Sequence, residues 1–338
     1  ELLLGSTGSI GKTLLNIINK DKKNFEILLL TARKNYKVLL KQAKFFKVKN
    51  IIITDKKYYE IAKTKINKRE INIFNSFNVF GKVFTKKIDY VMSSIVGLDG
   101  LYPTLKIIKH TKKIAIANKE SIICAWNLIN KELNKRETQF VPIDSEHFSI
   151  WYALKNNHNS NIDKIYLTAS GGSLLNIPKK KFSKLSLKKI LKHPNWKMGK
   201  KITIDSSTLM NKVFEIIEAK KIFNLNYKKL KIIIHPQSYI HAIIKFSDGM
   251  IKIIAHDTTM EIPIHNSIYD EKFKKIKTNK INFQKLNNLK LNKVDEKKFS
   301  LVKILKKLPN KNSLFETVLV SANDTLVDLF LNKKIKYV

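Results

Sequence analysis

Leu2-Leu3-Leu4 runs straight into the turn Gly5-Ser6-Thr7-Gly8-Ser9-Ile10-Gly11, and the turn into Lys12 to Asn19, where Leu14, Leu15 and Ile18 fall on one helical face. A buried strand that passes through glycines into an amphipathic helix is the opening unit of an α/β fold, and it restricts what the following segments can form. The unit recurs. Ile27 to Leu30, Ile51 to Ile53, Tyr90 to Met92 and Ile114 to Ala117 are apolar runs of strand length separated by helical patterns. Strands alternating with helices predict a parallel sheet covered on both faces. Near residue 140 the pattern changes, with denser polar motifs and His, Trp and Ser at loop-like positions. Residues 270–298 are rich in Lys and Asn and weakly periodic, which suits a connecting arm, and a helical pattern resumes from about Ser300. A chain of 338 residues has room for two or three such domains, each with its own core.

The charge raises one function class that its distribution argues against. Sixty-five Lys and Arg against 27 Asp and Glu leave a formal +38, and basic side chains neutralise nucleic-acid phosphates. Yet only Arg33, Arg69 and Arg136 are arginines, the residue that base readout and bidentate phosphate clamping favour, and the lysines spread from Lys12 to Lys336 without one basic block. Lys, Ile and Asn abound together, as A- and T-rich codons would produce, so no nucleic-acid partner is expected. The apolar runs are far shorter than the ~20 residues of a membrane span, so the chain reads as soluble, with no membrane partner. Cys124, the single cysteine, can form no intrachain disulfide and reads as a buried inert thiol in a reducing compartment. No signal peptide is visible ahead of Leu2. The expected location is the cytoplasm, unless a targeting segment has been removed.

The glycine turn sits where a phosphate-binding turn belongs, since glycines admit a pyrophosphate to the backbone and the helix N-terminus directs N–H groups at it. Taken alone, G-x-x-G-x-x-G reads equally as a tight turn with no ligand. The second strand adds to the case. An NAD site carries an acid about 20 residues on, for the ribose hydroxyl, whereas this strand ends in Thr31-Ala32-Arg33-Lys34-Asn35. Cations there suit the 2′-phosphate of NADPH, unless Arg33 and Lys34 are simply solvated charges of a basic chain.

Asp144-Ser145-Glu146-His147 follows Phe140-Val141-Pro142-Ile143, and in extended backbone carboxylates at i and i+2 project to one side, a pair suited to Mg²⁺ or Mn²⁺. In Thr208 to Glu215, helical spacing puts Asn211, Lys212 and Glu215 within an arc of about 100°, with Met210, Val213 and Ile217 facing a core. Such a face can hold a metal and a phosphorylated substrate, or be an ordinary solvated surface. Thr168-Ala169-Ser170-Gly171-Gly172 is a small-residue loop able to bind phosphate. His193-Pro194-Asn195-Trp196-Lys197-Met198-Gly199 reads as a mobile aromatic lid, or as a loop that Trp196 anchors to the core.

These motifs together resemble those of the 1-deoxy-D-xylulose 5-phosphate reductoisomerase family, in the family's order: GSTGSIG at 5–11, ANKES at 117–121, PIDSEH at 142–147, SGG at 170–172, HPNW at 193–196, IDSST and MNK through Glu215, and IHPQSYIH at 234–241. The resemblance spans nearly the whole chain. It implies an NADP-dependent oxidoreductase of the non-mevalonate isoprenoid precursor pathway. The metal-held hydroxyketone phosphate rearranges its carbon skeleton, and NADPH then reduces the resulting aldehyde to 2-C-methyl-D-erythritol 4-phosphate. By family correspondence Asp144, Glu146 and Glu215 hold the divalent cation. Lys119, Ser145 and Glu146 face the reacting end of the small phosphorylated substrate, with Lys119, Glu146 and His193 as the catalytic set. Ser170, Ser206, Asn211 and Lys212 hold the phosphate, with His193 at its edge, and Trp196 and Met198 lie in the lid. Thr7, Gly8, Ser9, Ile10, Lys34 and Asn35 contact NADPH, as do Asn118, Glu120 and Gly199, beside Arg33 from the strand reading. His241 is a supporting candidate, and a homodimer is implied.

Three positions depart from the family pattern: Arg33, Ala169 and Val213 each stand where a glycine is usual. The expected architecture is therefore α/β, with an NADPH-binding Rossmann-type parallel sheet over 1–143 and a central α/β catalytic domain over 144–269. A linker over 270–298 leads to the start of a truncated or reduced C-terminal helical domain over 299–338. The alternatives are an NADP-dependent oxidoreductase of another class, which should lack the metal constellation, and an inactive homologue.

Overall fold

Seven short strands, β1 (Leu2–Leu4), β2 (Leu29–Ala32), β3 (Asn50–Ile53), β4 (Asn72–Phe74), β5 (Ile88–Ser93), β6 (Thr111–Ile116) and β7 (Gln139–Pro142), form one sheet in the order β4-β3-β2-β1-β5-β6-β7. Every neighbouring pair is parallel, with Leu3 opposite both Leu30 and Met92. The order reverses at β1, whose neighbours are β2 on one side and β5 on the other, which is the switch point at which doubly wound sheets bind ligands. Leu2, Leu3, Leu4, Leu29, Leu30, Ile51, Ile52 and Ile53 are all buried, as a sheet covered on both faces requires. The expected parallel sheet is present, with two strands beyond the five apolar runs: β4, an edge strand with exposed Asn72 and half-buried Ile73 and Phe74, and β7, which takes in Phe140–Pro142 of the extended stretch before Asp144.

The computed structural model describes residues 1–67, 69–155, 161–196, 198–269 and 274–337. The chain divides into two compact units, Glu1–Asp144 with Met260–Lys275, and Ser145–Thr259 with Ile276–Val338. Residues 270–273, where the expected linker starts, lie outside the described residues, as do Lys197 of the lid segment and Val338. In the first unit the returning helix Glu261–Ile268 is tied down by Ser267, whose hydroxyl lies 2.7 Å from the buried Tyr90 hydroxyl, and by Lys20–Glu261 at 2.5 Å. Beside it, Lys274 and then the Tyr269 hydroxyl hold the Asp21 carboxyl down at about 2.

The second unit is built on a mixed sheet, β8 (Ile162–Ala169), β9 (Leu230–Ile234), β10 (Ile240–Phe246), β11 (Ile251–Ala255) and β12 (Asn292–Lys293), in the order β11-β10-β8-β9-β12. Only β8 and β9 run parallel. Ile165, Leu167, Ala242 and Ile244 of this sheet pack against Ile150 of the helix Ser145–Leu154 and Ile216 and Ala219 of the helix Met210–Ile222. Part of the expected connecting arm is structured, because Asn292 and Lys293 pair with Ile234 and Ile233 as an edge strand. Ahead of the helix Phe315–Leu331, Ser313 Oγ donates to Glu316 Oε2 at 2.8 Å and accepts from Phe315 N at 3.3 Å, and the helix packs Val327 against Leu174, Phe182 and Ile204. Among the described residues, no helix is long and apolar enough to cross a membrane.

Candidate active site

At the carboxyl end of β1 the backbone of Gly5 turns at φ +85°, and a Cβ there would meet Ser94 O at 2.9 Å. Only glycine allows that turn, and Gly8 then begins the helix Ser9–Asn19 without a side-chain cap. Uncapped N–H groups and the positive end of the helix dipole favour negative charge at this end of the helix. The turn is held from beneath: Thr31 Oγ1 accepts from Gly5 N at 2.9 Å, and buried Ser6 exchanges hydrogen bonds with Gln42 at 2.9 and 3.0 Å. A cavity of about 540 Å³ opens above, lined by Thr7, Gly8, Arg33, Phe77, Val96 and Asp99 among others. Of the other residues expected at NADPH in this unit, Asn35 caps the helix Tyr36–Phe45 by accepting from Val38 N, and Lys34 is exposed beside it. Asn118 is buried, its amide donating to Gly97 O at 2.8 Å and to Ile95 O while its oxygen accepts from Ser121 N. It shapes the loop after β5.

Lys119 and Asp144 follow the adjacent strands β6 and β7, and the parallel register sets them side by side, Nζ to Oδ2 at 2.6 Å. Both are largely buried, with side chains 14% and 25% exposed. Beyond Asp144 the backbone differs from the extended geometry expected for the Asp144/Glu146 pair. A helix begins at Ser145, with Glu146 in its first turn, where the helix dipole favours an acid. Ser145 Oγ donates to Glu146, and Ser149 Oγ donates back to Ser145 O at 2.7 Å.

In the second unit Lys212 Nζ lies 2.5 Å from Glu146 Oε1 and also bonds Glu215, whose other oxygen accepts from Asn211. Met210, Val213 and Ile217 are buried as the spacing predicts. Lys212 and Glu215 are buried too, at 4% and 1%, so this helix has no solvated face there. Buried charges persist only when paired or ligating, which removes the surface reading of the motif. The helix starts from Leu209, a buried leucine at φ +61°, ψ 12°. That sharp left-handed turn joins it to the helix Lys200–Ser207.

Ser170, His193 and Ser206 converge: His193 Nε2 is 3.1 Å from each hydroxyl, and Ser170 Oγ also accepts from Gly172 N at 3.1 Å. His193 Nδ1 accepts from the backbone N–H groups of Asn195 and Trp196 at 3.2 and 2.9 Å. With Nδ1 an acceptor, the proton of the neutral ring is on Nε2, facing the two serines. Burial pushes the His193 pKa down to about 4, which keeps the ring neutral at pH 7. The lid segment is pinned by Asn195, which donates to Pro236 O at 2.6 Å and Ser238 Oγ at 2.7 Å, and Trp196 meets His241 edge-on at 6.3 Å. Met198 is half-buried, and Gly199 begins the helix Lys200–Ser207.

Residues 2–126 match the family model for 1-deoxy-D-xylulose 5-phosphate reductoisomerase, residues 140–223 the one for its C-terminal domain, and residues 257–338 the one for the DXP reductoisomerase C-terminal domain. A 1-deoxy-D-xylulose 5-phosphate reductoisomerase from Pelagibacter ubique is 60% identical over 337 residues, 99% of this chain and 87% of the relative. The chain belongs to the 1-deoxy-D-xylulose 5-phosphate reductoisomerase family. The reductoisomerase from Clostridium kluyveri is 35% identical over 338 residues, covering 99% of this chain and 88% of its own. Among solved structures, the Zymomonas mobilis reductoisomerase in complex with NADPH has a TM-score of 0.90 at 29% identity over 99% of this chain and 87% of that one. A reductoisomerase complex with NADPH, fosmidomycin and magnesium also reaches 0.90, at 31% identity over 99% and 85%. In this member of the reductoisomerase family, Gln42 and Asp99 join residues that the motifs singled out, yet no local spacing marks them. Gln42 acts through Ser6 and Asp99 through Arg33, partners distant in sequence, so only the assembled fold reveals them. Phe77 enters as a lining residue of the cavity, and Ser238, within the 234–241 motif, gains its role by accepting from Asn195.

Proposed function

We propose that the chain converts 1-deoxy-D-xylulose 5-phosphate to 2-C-methyl-D-erythritol 4-phosphate in the non-mevalonate route to isoprenoid precursors. The buried arrangement of Glu146, Lys212 and Glu215 carries this reading. Two carboxylates around one ammonium leave a negative charge in a low-dielectric setting, and Asp144 stands two residues before Glu146 in the chain. That donor set, hard oxygens with excess negative charge, fits a divalent cation held by Asp144, Glu146 and Glu215. When bound, Mg²⁺ or Mn²⁺ supplies Lewis acidity to adjacent substrate oxygens, and NADPH supplies the hydride.

The chain's own residues do the positioning. Asn211 and Lys212 orient Glu215, and Lys119 orients Asp144 while presenting its ammonium, with Ser145, to the reacting end. Ser170, Ser206 and the Nε2–H of His193 supply donors for the substrate phosphate, and Asn211 and Lys212 extend that contact. Trp196 and Met198 would cover the substrate and exclude water. The glycine turn from Thr7 to Ile10, with Arg33, Lys34 and Asn35, receives the dinucleotide, and Asn118, Glu120 and Gly199 complete its surroundings. A second copy is the proposed partner: Ile251 and Ile253 of the edge strand β11, with Met250 just before it, are 55%, 54% and 66% exposed, an apolar edge of the kind proteins cover. A lone cysteine suits a reducing compartment, and the cytoplasm is the proposed location.

The test is a coupled assay with purified chain, 1-deoxy-D-xylulose 5-phosphate and Mg²⁺ or Mn²⁺, following NADPH loss and identifying the product by mass spectrometry and NMR. A branched methylerythritol phosphate is expected. An unrearranged alcohol would instead assign simple ketone reduction, and no turnover with NADPH bound would assign an inactive homologue.

A further inference from the structure

The mouth of the nucleotide cavity carries an ion pair that the proposed reaction does not use. Arg33 follows directly on β2, and Asp99 sits in the turn Leu98–Gly100 beyond β5. Because β2 and β5 flank β1, a bond between them spans the carboxyl end of β1, above the glycine turn. Arg33 Nη1 and Asp99 Oδ2 are 2.8 Å apart, and both residues line the same cavity as Thr7 and Gly8. Among its described lining residues, these two carry the only charged side chains.

The geometry points to Asp99 as an intramolecular competitor for the 2′-phosphate of NADPH, so that Arg33 and Asp99 together set the preference between NADPH and NADH. This rests on the dinucleotide reading of the cavity. A guanidinium offers the same planar fork to a carboxylate and to a phosphate. The side chains are 68% and 65% exposed, so the pair is well screened, holds weakly and yields to a more highly charged anion. Yielding is not free of consequence, because Asp99 cannot withdraw far. Asn118 clamps the loop that carries it, donating to Gly97 O at 2.8 Å and to Ile95 O. After displacement the carboxylate therefore stays within reach of Arg33 and goes on competing for it. NADH, with no 2′-phosphate for Arg33 to hold, meets no such competition. Its ribose hydroxyl is neutral and can donate to a carboxylate, as it does to the acid of NAD sites. Asp99 thus weakens NADPH binding selectively, by occupying Arg33.

A double-mutant cycle with Asp99→Asn, Arg33→Gln and both together tests this, measuring dissociation constants for NADPH, NADH and 2′-AMP by calorimetry. Asp99→Asn should tighten NADPH and 2′-AMP about two- to fivefold, the worth of one exposed ion pair. It should leave NADH unchanged or weaker, and the gain should vanish in the Arg33→Gln background. An unchanged NADPH constant in Asp99→Asn would overturn the inference, as would an equal gain for NADH. An equal gain without Arg33 would also overturn it, since Asp99 would then act by direct repulsion and not by occupying Arg33. If the unaltered chain bound neither NADPH nor NADH, the dinucleotide reading would fail first and take this inference with it.

Discussion

Glu215 and His193 are the two residues whose surroundings make the most definite demands. Glu215 is 1% exposed, with both oxygens engaged by Lys212 and Asn211. Glu215→Gln keeps its shape and removes its charge, so turnover and metal affinity should each fall by more than about 100-fold if it is a ligand, beyond the loss expected for an outer partner. NADPH affinity, set by the glycine turn, should change little. Metal-dependent activity and NADPH binding measured on the same preparation check both halves, and normal metal dependence would remove Glu215 from the ligand set. His193 makes a pH prediction. Its folded pKa is about 4 against an ordinary 6.5, so between those values the unfolded chain takes up a proton that the folded chain refuses. Stability from this residue is therefore constant above pH 6.5 and is lost as pH falls from 6.5 toward 4. His193→Gln should flatten the decline of the urea midpoint across that window, and an identical decline in both proteins would contradict the burial of a neutral ring.

At the level of elements, the Ser170-Gly171-Gly172 loop and the helix Lys200–Ser207 must touch for Ser170 and Ser206 to share His193. Gly172 makes that contact possible. Its φ is +65°, and a Cβ would stand 2.5 Å from Ser206 O, a backbone atom that cannot swing aside. Gly172→Ala should cost about 1–3 kcal/mol of stability and weaken substrate binding. Gly249→Ala is the matched control, since Gly249 has φ +90° but nothing within 4 Å of an added Cβ. It should lose stability alone. Chemical denaturation and substrate affinity on the pair separate backbone strain from displacement of Ser206, and equal affinities would mean that the loop does not set the phosphate site. The buried left-handed Leu209 fits the same picture, because a leucine held at φ +61° persists where the surroundings dictate the turn between two helices that carry site residues.

For the molecule as a whole, the basic charge and the apolar edge pull in opposite directions. A formal +38 repels copies of the chain from one another, whereas exposed Ile251 and Ile253 on β11 favour a second copy covering that edge. Ile253→Lys adds charge where apolar area would be buried. It should weaken self-association about tenfold or more, read as a shift toward monomer in sedimentation equilibrium, and the shift should be larger at low salt. An unaltered distribution would place any dimer contact elsewhere.

The sequence by itself determined the sheet and the order of its motifs. Strand-length apolar runs and glycines that must turn are local properties, and Leu2–Leu4 followed by the Gly5–Gly11 turn could hardly have formed anything else. It also marked Glu146, Asn211, Lys212 and Glu215 as candidates, but it left a solvated helix face open as an alternative. The fold closed that alternative by burying Lys212 and Glu215 against Glu146, an outcome set by packing between segments far apart in the chain. The same holds for β12, which has no run of its own and exists because β9 offers it a partner, and for the helix at Ser145, where a local choice between strand and helix went to the dipole and the core beneath Ile150. Arg33 looked like an available cation in sequence and is paired with Asp99 in the fold, because loops after two strands on either side of β1 are brought together only when the sheet is assembled.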